Sequence, residues 1–187
     1  AWFPGEFGGQ AIAEALFGDY NPGGRLAVTF PKSVGQIPFA FPFKPGSDES
    51  SETSVYGALY PFGHGLSYTT FQYSDLAISP SKQGVQGNIS ISCTIKNIGQ
   101  REGDEVVQLY LRDEVSSVTT YTQVLRGFER ITLKPEASHT VHFELTPQEL
   151  GIWDKQMNFT VEPGMFKVMI GSSSKDIRLK GVFEIAQ

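Results

Sequence analysis

Acidic side chains are the first candidates for chemistry in this sequence, because acid–base and nucleophilic catalysis bring such groups together at one bond. Two adjacent pairs are present, Asp104 with Glu105 and Asp113 with Glu114. Neighbouring side chains of a strand point to opposite faces, so we expect neither pair to act on one bond. Glu6 lies on a glycine turn after a predicted strand end, where α/β folds often carry functional groups. We interpret it as a carboxylate favoured by the dipole of the helix that follows.

The three histidines do not form a site in this reading. His139 and His142 are separated by an odd number of positions in a predicted strand, so they face opposite sides. His64 lies between two glycines, and we expect it to anchor its segment by a hydrogen bond. Asp19 precedes an Asn-Pro pair and is interpreted as a turn residue. No spacing supports a serine-histidine-carboxylate arrangement.

No metal-ligand spacing and no phosphate-binding loop are present, so the sequence predicts neither a metal site nor a cofactor. Cys93 is the single cysteine, which excludes an intrachain disulfide, and its alternating apolar run predicts a buried side chain. Asn88 and Asn158 begin glycosylation acceptor patterns. We interpret both as chance matches, because nothing indicates a secretory eukaryotic context.

The composition is that of a globular protein, with 40% hydrophobic and 19% charged residues, which argues against disorder over most of the length. A net charge of −5 without a Lys/Arg stripe argues against a nucleic-acid partner. No apolar run approaches the ~18 residues of a membrane span, so we expect no membrane partner.

The first part of the chain carries mixed signals. Ala11, Ile12, Ala15 and Leu16 follow helical spacing within residues 6–17, and a Gly/Pro-rich stretch at 18–24 ends the predicted helix. Residues 25–30 are predicted to form a short strand, prolines favour an irregular path after it, and residues 47–54 form a predicted polar loop. The aromatic residues of 55–68 predict a linker lying on a protein surface. Residues 1–5 lead directly into a turn, so we expect them to end a buried strand of an upstream region.

The apolar period changes to two from about residue 71. Ile89, Ile91, Cys93 and Ile95 alternate with polar residues, as in a strand with one buried face. Further runs lie at 106–111, 124–133, 139–145, 165–170 and 177–185, which makes about seven strands, the number in an immunoglobulin-like sandwich. Residues 147–150 are predicted to form one helical turn with Thr146 as its N-cap.

Several blocks, taken in order along nearly the whole chain, make the sequence similar to a known family. Single blocks are weak signals, but their order is specific. They are Trp2-Phe3-Pro4-Gly5-Glu6-Phe7-Gly8-Gly9, Gly18-Asp19-Tyr20-Asn21-Pro22-Gly23-Gly24-Arg25-Leu26, Tyr60-Pro61-Phe62-Gly63-His64-Gly65-Leu66-Ser67-Tyr68, Glu105-Val106-Val107-Gln108-Leu109-Tyr110, Leu125-Arg126-Gly127-Phe128 and Val161-Glu162-Pro163-Gly164.

With these blocks the chain resembles the C-terminal half of glycoside hydrolase family 3, the β-glucosidase and β-xylosidase family. The resemblance implies a barrel domain, an α/β sandwich domain and a fibronectin type III-like domain. Residues 1–44 would be the C-terminal remnant of the second domain, 45–69 a linker, and 70–187 the third. The expected fold class is therefore mainly β, an antiparallel β-sandwich preceded by a short α/β remnant and an extended linker. Residues 1–44 are too few to fold alone, so we expect them to pack on the sandwich, pair with another copy or fray.

The resemblance implies a non-catalytic part of a retaining β-glycosidase that acts on terminal β-glucosyl or related β-xylosyl units. The family's nucleophile is an Asp in the barrel and its acid/base residue lies upstream, so no catalytic residue is carried over and the substrate-binding residues stay unknown. The sandwich would brace the catalytic domains, and the loop 113–121 would reach towards the cleft. The implied partners are those domains, the glycoside or oligosaccharide substrate of the whole enzyme, and a second copy bound through the N-terminal remnant. A periplasmic or secreted bacterial location is favoured over a cytoplasmic one.

Two other functions stay open. A carbohydrate-binding module would need a row of exposed aromatic side chains, for which Tyr121, Trp153 and Phe159 are candidates, although buried aromatics are commoner in a sandwich. A structural or adhesive immunoglobulin-like module is the other, but the α/β remnant counts against it. Fold alone does not separate these functions.

Overall fold

Two facing sheets form most of the protein in its computed structural model. The structure describes residues 3–47, 49–50 and 55–187, and for residues 49, 50 and 55 it describes the backbone alone. Residues 1–2 of the predicted strand end, and most of the predicted loop 47–54, lie outside the described residues. In chain order the helices and strands are α1 (Gly8–Phe17), β1 (Phe30–Pro31), a 3-10 helix (Val34–Gln36), β2 (Glu49–Ser50), β3 (Val55–Tyr56), β4 (Ala58–Tyr60), β5 (Phe71–Ser79), β6 (Lys82–Gly84), β7 (Ile89–Asn97), β8 (Gly103–Asp113), β9 (Val124–Leu133), β10 (Ser138–Leu145), α2 (Pro147–Leu150), β11 (Ile152–Trp153), β12 (Phe159–Thr160), β13 (Gly164–Gly171) and β14 (Ile177–Ala186).

The predicted β-sandwich is confirmed. One sheet has the strand order β10-β7-β5, and the other has the order β6-β14-β13-β8-β9. Within them all strand pairs are antiparallel except β6 with β14. Small two-stranded pairs (β1 with β4, β2 with β3, β11 with β12) lie in the connections.

The core lies between the two sheets and follows the period of two. Ile89, Ile91, Cys93 and Ile95 of β7 are all fully buried, as their alternation predicts. They belong to one cluster with residues of β8, β13 and β14, in which the rings of Phe166 and Phe183 stack 5.4 Å apart. The predicted turn 147–150 is α2, and Thr146 caps it by accepting from the N–H of Gln148.

The N-terminal helix begins two residues later than predicted. Gly5 has a φ of +75°, a conformation that favours glycine, and its carbonyl accepts from the N–H of Gly8, where α1 starts. The helix ends at Gly18, whose φ of 85° is a common left-handed C-cap. Gly8 is the one buried residue of α1, so the predicted apolar stripe is not covered by the described part of the chain.

The prediction of a strand at 25–30 was wrong. Only Phe30 and Pro31 pair with a strand, namely β4. Upstream of them the backbone of Leu26 bonds to a turn instead, because its N–H donates to the carbonyl of His64 and its carbonyl accepts from Gly63. The turn supplies two backbone hydrogen bonds, whereas a neighbouring strand would supply a regular series of them, so no strand forms here.

Part of the aromatic segment 55–68 lies on a protein surface, through Phe62 and Gly63, whereas Tyr56, Leu59 and Leu66 stay more than half exposed. That surface is the outer face of the five-stranded sheet, where the carbonyl of Phe62 accepts from the N–H of Ser174 at 3.0 Å. The ring of Phe41 stacks on Phe62 at 4.5 Å and meets Tyr110 of β8 edge-on at 5.7 Å. Tyr110 is therefore fully buried although it points away from the core. Among the described helices, none is long and apolar enough to cross a membrane.

Candidate functional site

A buried ion pair fixes the N-terminal segment, by which we mean residues 3–44, to the sandwich. Nη2 of Arg25 lies 2.7 Å from Oε2 of Glu105 in β8, and the two side chains are 9% and 3% exposed. The hydroxyl of Tyr73 in β5 donates to the other oxygen, Oε1, at 2.6 Å. One carboxylate thus joins both sheets of the sandwich to the segment that precedes them.

Burial controls the protonation of this cluster. It raises the pKa of Glu105 above its ordinary value, although the bond from Tyr73 and the charge of Arg25 act in the opposite direction. Burial, reinforced by the charge of Glu105, also raises the pKa of Tyr73, so this phenol stays a hydrogen-bond donor. The guanidinium of Arg178 lies over the Tyr73 ring, 5.1 Å from its centroid.

A second anchor uses Asn21, which the sequence predicts only as part of a turn. Its Nδ2 donates to the carbonyl of Glu102 at 3.1 Å, and its Oδ1 accepts from the N–H of Tyr68 at 2.8 Å. The phenol of Tyr68 donates in turn to the carbonyl of Ala15 in α1 at 2.7 Å. The helix, the linker and the loop before β8 are therefore tied together.

A third anchor is the buried amide of Gln108 on the outer face of β8. Its Nε2 donates to the carbonyls of Gly63, at 3.2 Å, and Ser172, at 2.6 Å. Its Oε1 accepts from the hydroxyl of Tyr110 at 2.5 Å. Because the donors and acceptor of this amide are all engaged, the linker cannot leave the sheet without exposing an unpaired buried group.

Several large apolar side chains of the N-terminal segment are left exposed by the described part of the chain. Leu16 is 72% exposed and Phe17 is 85% exposed at the end of α1. Phe7, Val34 and Ile37 are also largely exposed. We call these five residues the free apolar face. Apolar patches of this kind mark interaction surfaces in soluble proteins.

The adjacent acidic residues Asp104 and Glu105 point to opposite faces of β8 and have different partners. The carboxylate of Asp104 meets Arg130 and Thr132. Burial acts to raise its pKa, but the bonds from Thr132 and Arg130 outweigh burial and the pKa is lowered. Glu105 points the other way into the buried cluster, as the alternation of a strand predicts.

Asp113 is the half-buried member of the second acidic pair. Burial raises its pKa, and its Oδ1 accepts from the N–H of Val115 at 3.2 Å. Glu114 lies 3.9 Å from Arg112. Glu6 and Asp19 are exposed residues at the two ends of α1.

The histidines also lie apart. His139 lies 3.7 Å from Glu129, and His142 is exposed. The ring of His64 stacks on Tyr60 at 5.0 Å, and its backbone carbonyl accepts from Leu26 at 2.9 Å. The expected hydrogen-bonded anchor is thus made by the backbone of His64.

Cys93, Asn88 and Asn158, the remaining candidates from the sequence, are each buried in the core or hydrogen-bonded within the protein. Cys93 is fully buried in the core, which raises its pKa to about 11. Asn88 donates to Glu144 at 2.8 Å, and the N–H of Asn158 donates to Asp154 at 2.8 Å. Within the described ranges, no group of three or more His, Cys, Asp or Glu could hold a metal ion.

The three aromatic candidates lie together at one end of the sandwich. Tyr121 and Trp153 line the same cleft. The ring of Phe159 packs edge-on against Trp153 at 5.5 Å.

The anchor residues Arg25, Tyr73 and Gln108 were missed from the sequence. The sequence did carry a signal for Glu105, the partner of Arg25 and Tyr73: it has the same parity in β8 as Val107 and Leu109, so it had to lie on the buried face. A charge on a core face requires a counter-charge. Which arginine supplies it depends on the fold, since Arg25 and Glu105 are 80 positions apart.

Comparison with known proteins gives matches along most of the chain. A family model described as the glycosyl hydrolase family 3 C-terminal domain matches residues 1–68, and one described as a fibronectin type III-like domain matches residues 105–174. The periplasmic beta-glucosidase of Salmonella typhimurium is 44% identical over 98% of this chain and 25% of its own length. A beta-xylosidase of Formosa agariphila is 43% identical over 97% of this chain and 26% of its own length.

A solved structure extends the likeness to the fold. A β-glucosidase from Erythrobacter marinus superposes with a TM-score of 0.89 at 39% identity, over 96% of this chain and 24% of that chain. The chain belongs to glycoside hydrolase family 3. This family 3 chain spans about a quarter of the length of the relatives it matches. The superposition takes in both the N-terminal segment and the sandwich, so their arrangement is shared with that larger protein.

Proposed function

We propose that this chain is the non-catalytic C-terminal part of a retaining β-glycosidase, in which the β-sandwich braces the catalytic domains. The observation that carries the proposal is an N-terminal segment that is both anchored and exposed. The Arg25–Glu105 pair fixes it to the sandwich, while the residues of the free apolar face stay exposed. A segment that is anchored at some residues and leaves large apolar side chains uncovered at others fits a connection between two domains.

The proposed division of the chain is 1–44 as the end of an α/β sandwich domain, 45–69 as a linker and 70–187 as the fibronectin type III-like domain. The two family matches support this order, at 1–68 and 105–174. On this proposal the chain carries no catalytic residue, because the nucleophile and the acid/base residue belong to the upstream domains.

Terminal β-glucosyl residues, or the related β-xylosyl residues, are the proposed substrates of the intact enzyme. The names of the relatives, a beta-glucosidase and a beta-xylosidase, support this pair of sugars equally. A periplasmic or secreted location is proposed on the name of the Salmonella typhimurium relative.

The central test compares Arg25→Ala with the unchanged intact enzyme on aryl β-glucosides and β-xylosides. Bracing predicts a lower unfolding temperature and an unchanged kcat/KM at 25 °C, where both proteins are folded. The 187-residue chain alone should release no aryl alcohol. Activity of the isolated chain, or an unchanged unfolding temperature of the variant, would contradict the proposal.

The reach of loop 113–121 towards the cleft is a separate proposal. Its support is that several of its residues surround surface clefts rather than pack into the core. Deleting residues 115–120 from the intact enzyme should raise KM if the loop touches substrate. Unchanged kcat and KM would remove the idea and leave the bracing role intact.

In the isolated chain we propose that the free apolar face drives self-association. Leu16→Glu and Phe17→Glu should each shift the chain towards monomer in sedimentation velocity, because a charge replaces apolar surface that would be buried. Asp19→Lys, near the same helix end, is the control for a change of charge alone. A chain that is monomeric before any substitution would refute this proposal.

A further inference from the structure

A cleft at one end of the sandwich is not used by the bracing role. It has a volume of about 270 Å³ and lies where the β8–β9 connection, α2 and β11 meet. We call it the end pocket. Its floor is formed by buried core residues, Leu150 and Phe166, so its shape is held by the packing of the sandwich. The volume is close to the lower limit of ~300 Å³ for small-molecule sites and suits a single small ring.

Two aromatic side chains of the end pocket remain open to solvent. Tyr121 is 43% exposed and Trp153 is 58% exposed. The Trp153 ring is braced by Phe159, which itself packs so closely over Gly151 that a Cβ there would overlap its ring. A large aromatic that is held in place yet left exposed offers a flat apolar surface to a ligand.

The charged groups of the end pocket balance. Lys44 and Arg126 supply two cations, and Asp113 and Glu149 supply two anions. A ligand with a net charge would gain from one pair and lose to the other. An uncharged ligand with many hydroxyls can instead donate to the carboxylates and accept from the cations.

Hydrogen bonds within the protein hold the carboxylate of Glu149 in place, where it can accept a hydrogen bond from a ligand hydroxyl. The N–H and hydroxyl of Thr146 both donate to its Oε2, at 2.8 and 2.5 Å. These bonds fix the orientation of the carboxylate through Oε2. Neighbouring clefts differ: one is lined by Arg112, Lys167, Lys175 and Lys180 without a carboxylate, so its chemistry favours anions.

We propose that the end pocket is a saccharide-binding site that takes one uncharged pyranose unit of an oligosaccharide against Trp153 and Tyr121. The apolar face of the ring lies on the aromatic side chains, and its hydroxyls bond to the charged groups around them. The proposal does not depend on whether the intact enzyme prefers glucosyl or xylosyl units, because both are uncharged pyranoses.

Fluorescence provides the first test, because the chain has two tryptophans and Trp2→Phe leaves Trp153 as the sole reporter. Cellotriose or xylotriose should change the emission of this variant along a saturable curve. A trimer of galacturonate, which has the same kind of ring with a negative charge, should not. No change with either neutral trimer up to about 10 mM, tenfold above a Kd of ~1 mM, would overturn the proposal.

Titration calorimetry on single variants of the 187-residue chain then locates the site. Trp153→Ala and Tyr121→Ala should each weaken binding of the neutral trimer at least tenfold. Phe128→Ala is the matched control, since Phe128 is an exposed aromatic outside the end pocket and its loss should leave the affinity unchanged. Tyr121 lies in a connection rather than in a strand, so its variant decides the question if Trp153→Ala fails to fold.

The outcomes separate this site from the bracing role. Equal loss of affinity in the Phe128 variant, or no loss in the Tyr121 variant, would overturn the end pocket as the binding site. Neither result would affect the expected drop in unfolding temperature on Arg25→Ala, which depends on contacts at another end of β8.

Discussion

Replacing Arg25 by alanine should be among the most destabilising single changes in the chain. The substitution removes the counter-ion of Glu105 and leaves that carboxylate, 3% exposed, with the hydroxyl of Tyr73 as its remaining strong contact. Breaking a buried ion pair from one side costs about 3–5 kcal/mol, because the remaining charge stays buried without compensation. At ~2–4 °C per kcal/mol for a protein of this size, the unfolding temperature should fall by roughly 6–20 °C.

The penalty should depend on pH in a defined direction. Burial already raises the folded-state pKa of Glu105 above the unfolded value of 4.5, and loss of Arg25 raises it further. The folded variant therefore holds a proton that the unfolded chain releases, so stability is lost as the pH rises from 4.5 through the folded pKa. The cost of Arg25→Ala should be larger at pH 7 than at pH 5.

Urea denaturation at both pH values measures this cost as a change in midpoint at constant slope. Arg130→Ala is the matched control, because Arg130 pairs with the adjacent Asp104 but its side chain is 55% exposed, and exposed pairs contribute little. The double variant Arg25→Met with Glu105→Leu should recover most of the loss, since two apolar side chains leave no buried charge. Equal effects of the Arg25 and Arg130 variants at pH 7 would refute the reasoning.

Four further predictions concern other parts of the sandwich and the linker that lies on it. Cys93, with a pKa of about 11 in the core, should not react with a disulfide reagent at pH 8 until the chain unfolds; fast labelling of the native chain would contradict its burial. Thr146→Ala should cost about 1 kcal/mol through loss of the N-cap, as measured by urea denaturation. The bonds from Thr146 lower the pKa of Glu149, so the stability that Glu149→Gln removes should be present above pH 4.5 and vanish as the pH falls through the folded pKa. Gly63→Ala should cost at least ~1–2 kcal/mol, because φ is +82° and the new methyl group displaces the amide of Gln108, and calorimetric unfolding would show this as a lower transition temperature.

The sandwich was predictable because the alternation of apolar and polar residues is visible within each single strand. In β7 every second residue from Ile89 to Ile95 is fully buried, and the printed sequence shows the same alternation. The helix α1 was predicted for a similar reason, but the sequence left open whether its segment packs on the sandwich, pairs with another copy or frays. Periodicity tells which side chains form a face; it does not tell whether the partner of that face lies within the same chain.

The contacts that anchor the linker to β8 were not predictable, because they join residues that are far apart in the sequence. Gln108 and Tyr110 are on the outer face of β8, and alternation alone would place them in solvent. They are buried because residues 41 and 62–63, far away in sequence, cover them. The apolar residues Val106, Val107, Leu109, Tyr110 and Leu111, interrupted by Gln108 alone, were a trace of this, since a strand buried on both faces loses its alternation.

Burial of β8 on both faces gives the proposed bracing role its physical basis. Its inner face forms the core with Leu109, while its outer face holds the linker through Gln108 and Tyr110, so the linker and the sandwich are expected to unfold together. Any domain that covers Leu16 and Phe17 binds only the folded arrangement of the N-terminal segment and therefore stabilises it by mass action. Because Arg25 and Asn21 connect that segment to β8 and to the loop before it, the stabilisation is passed to the sandwich. The coupling is reciprocal, so weakening the anchors must also weaken the hold of the segment on the domain that covers it.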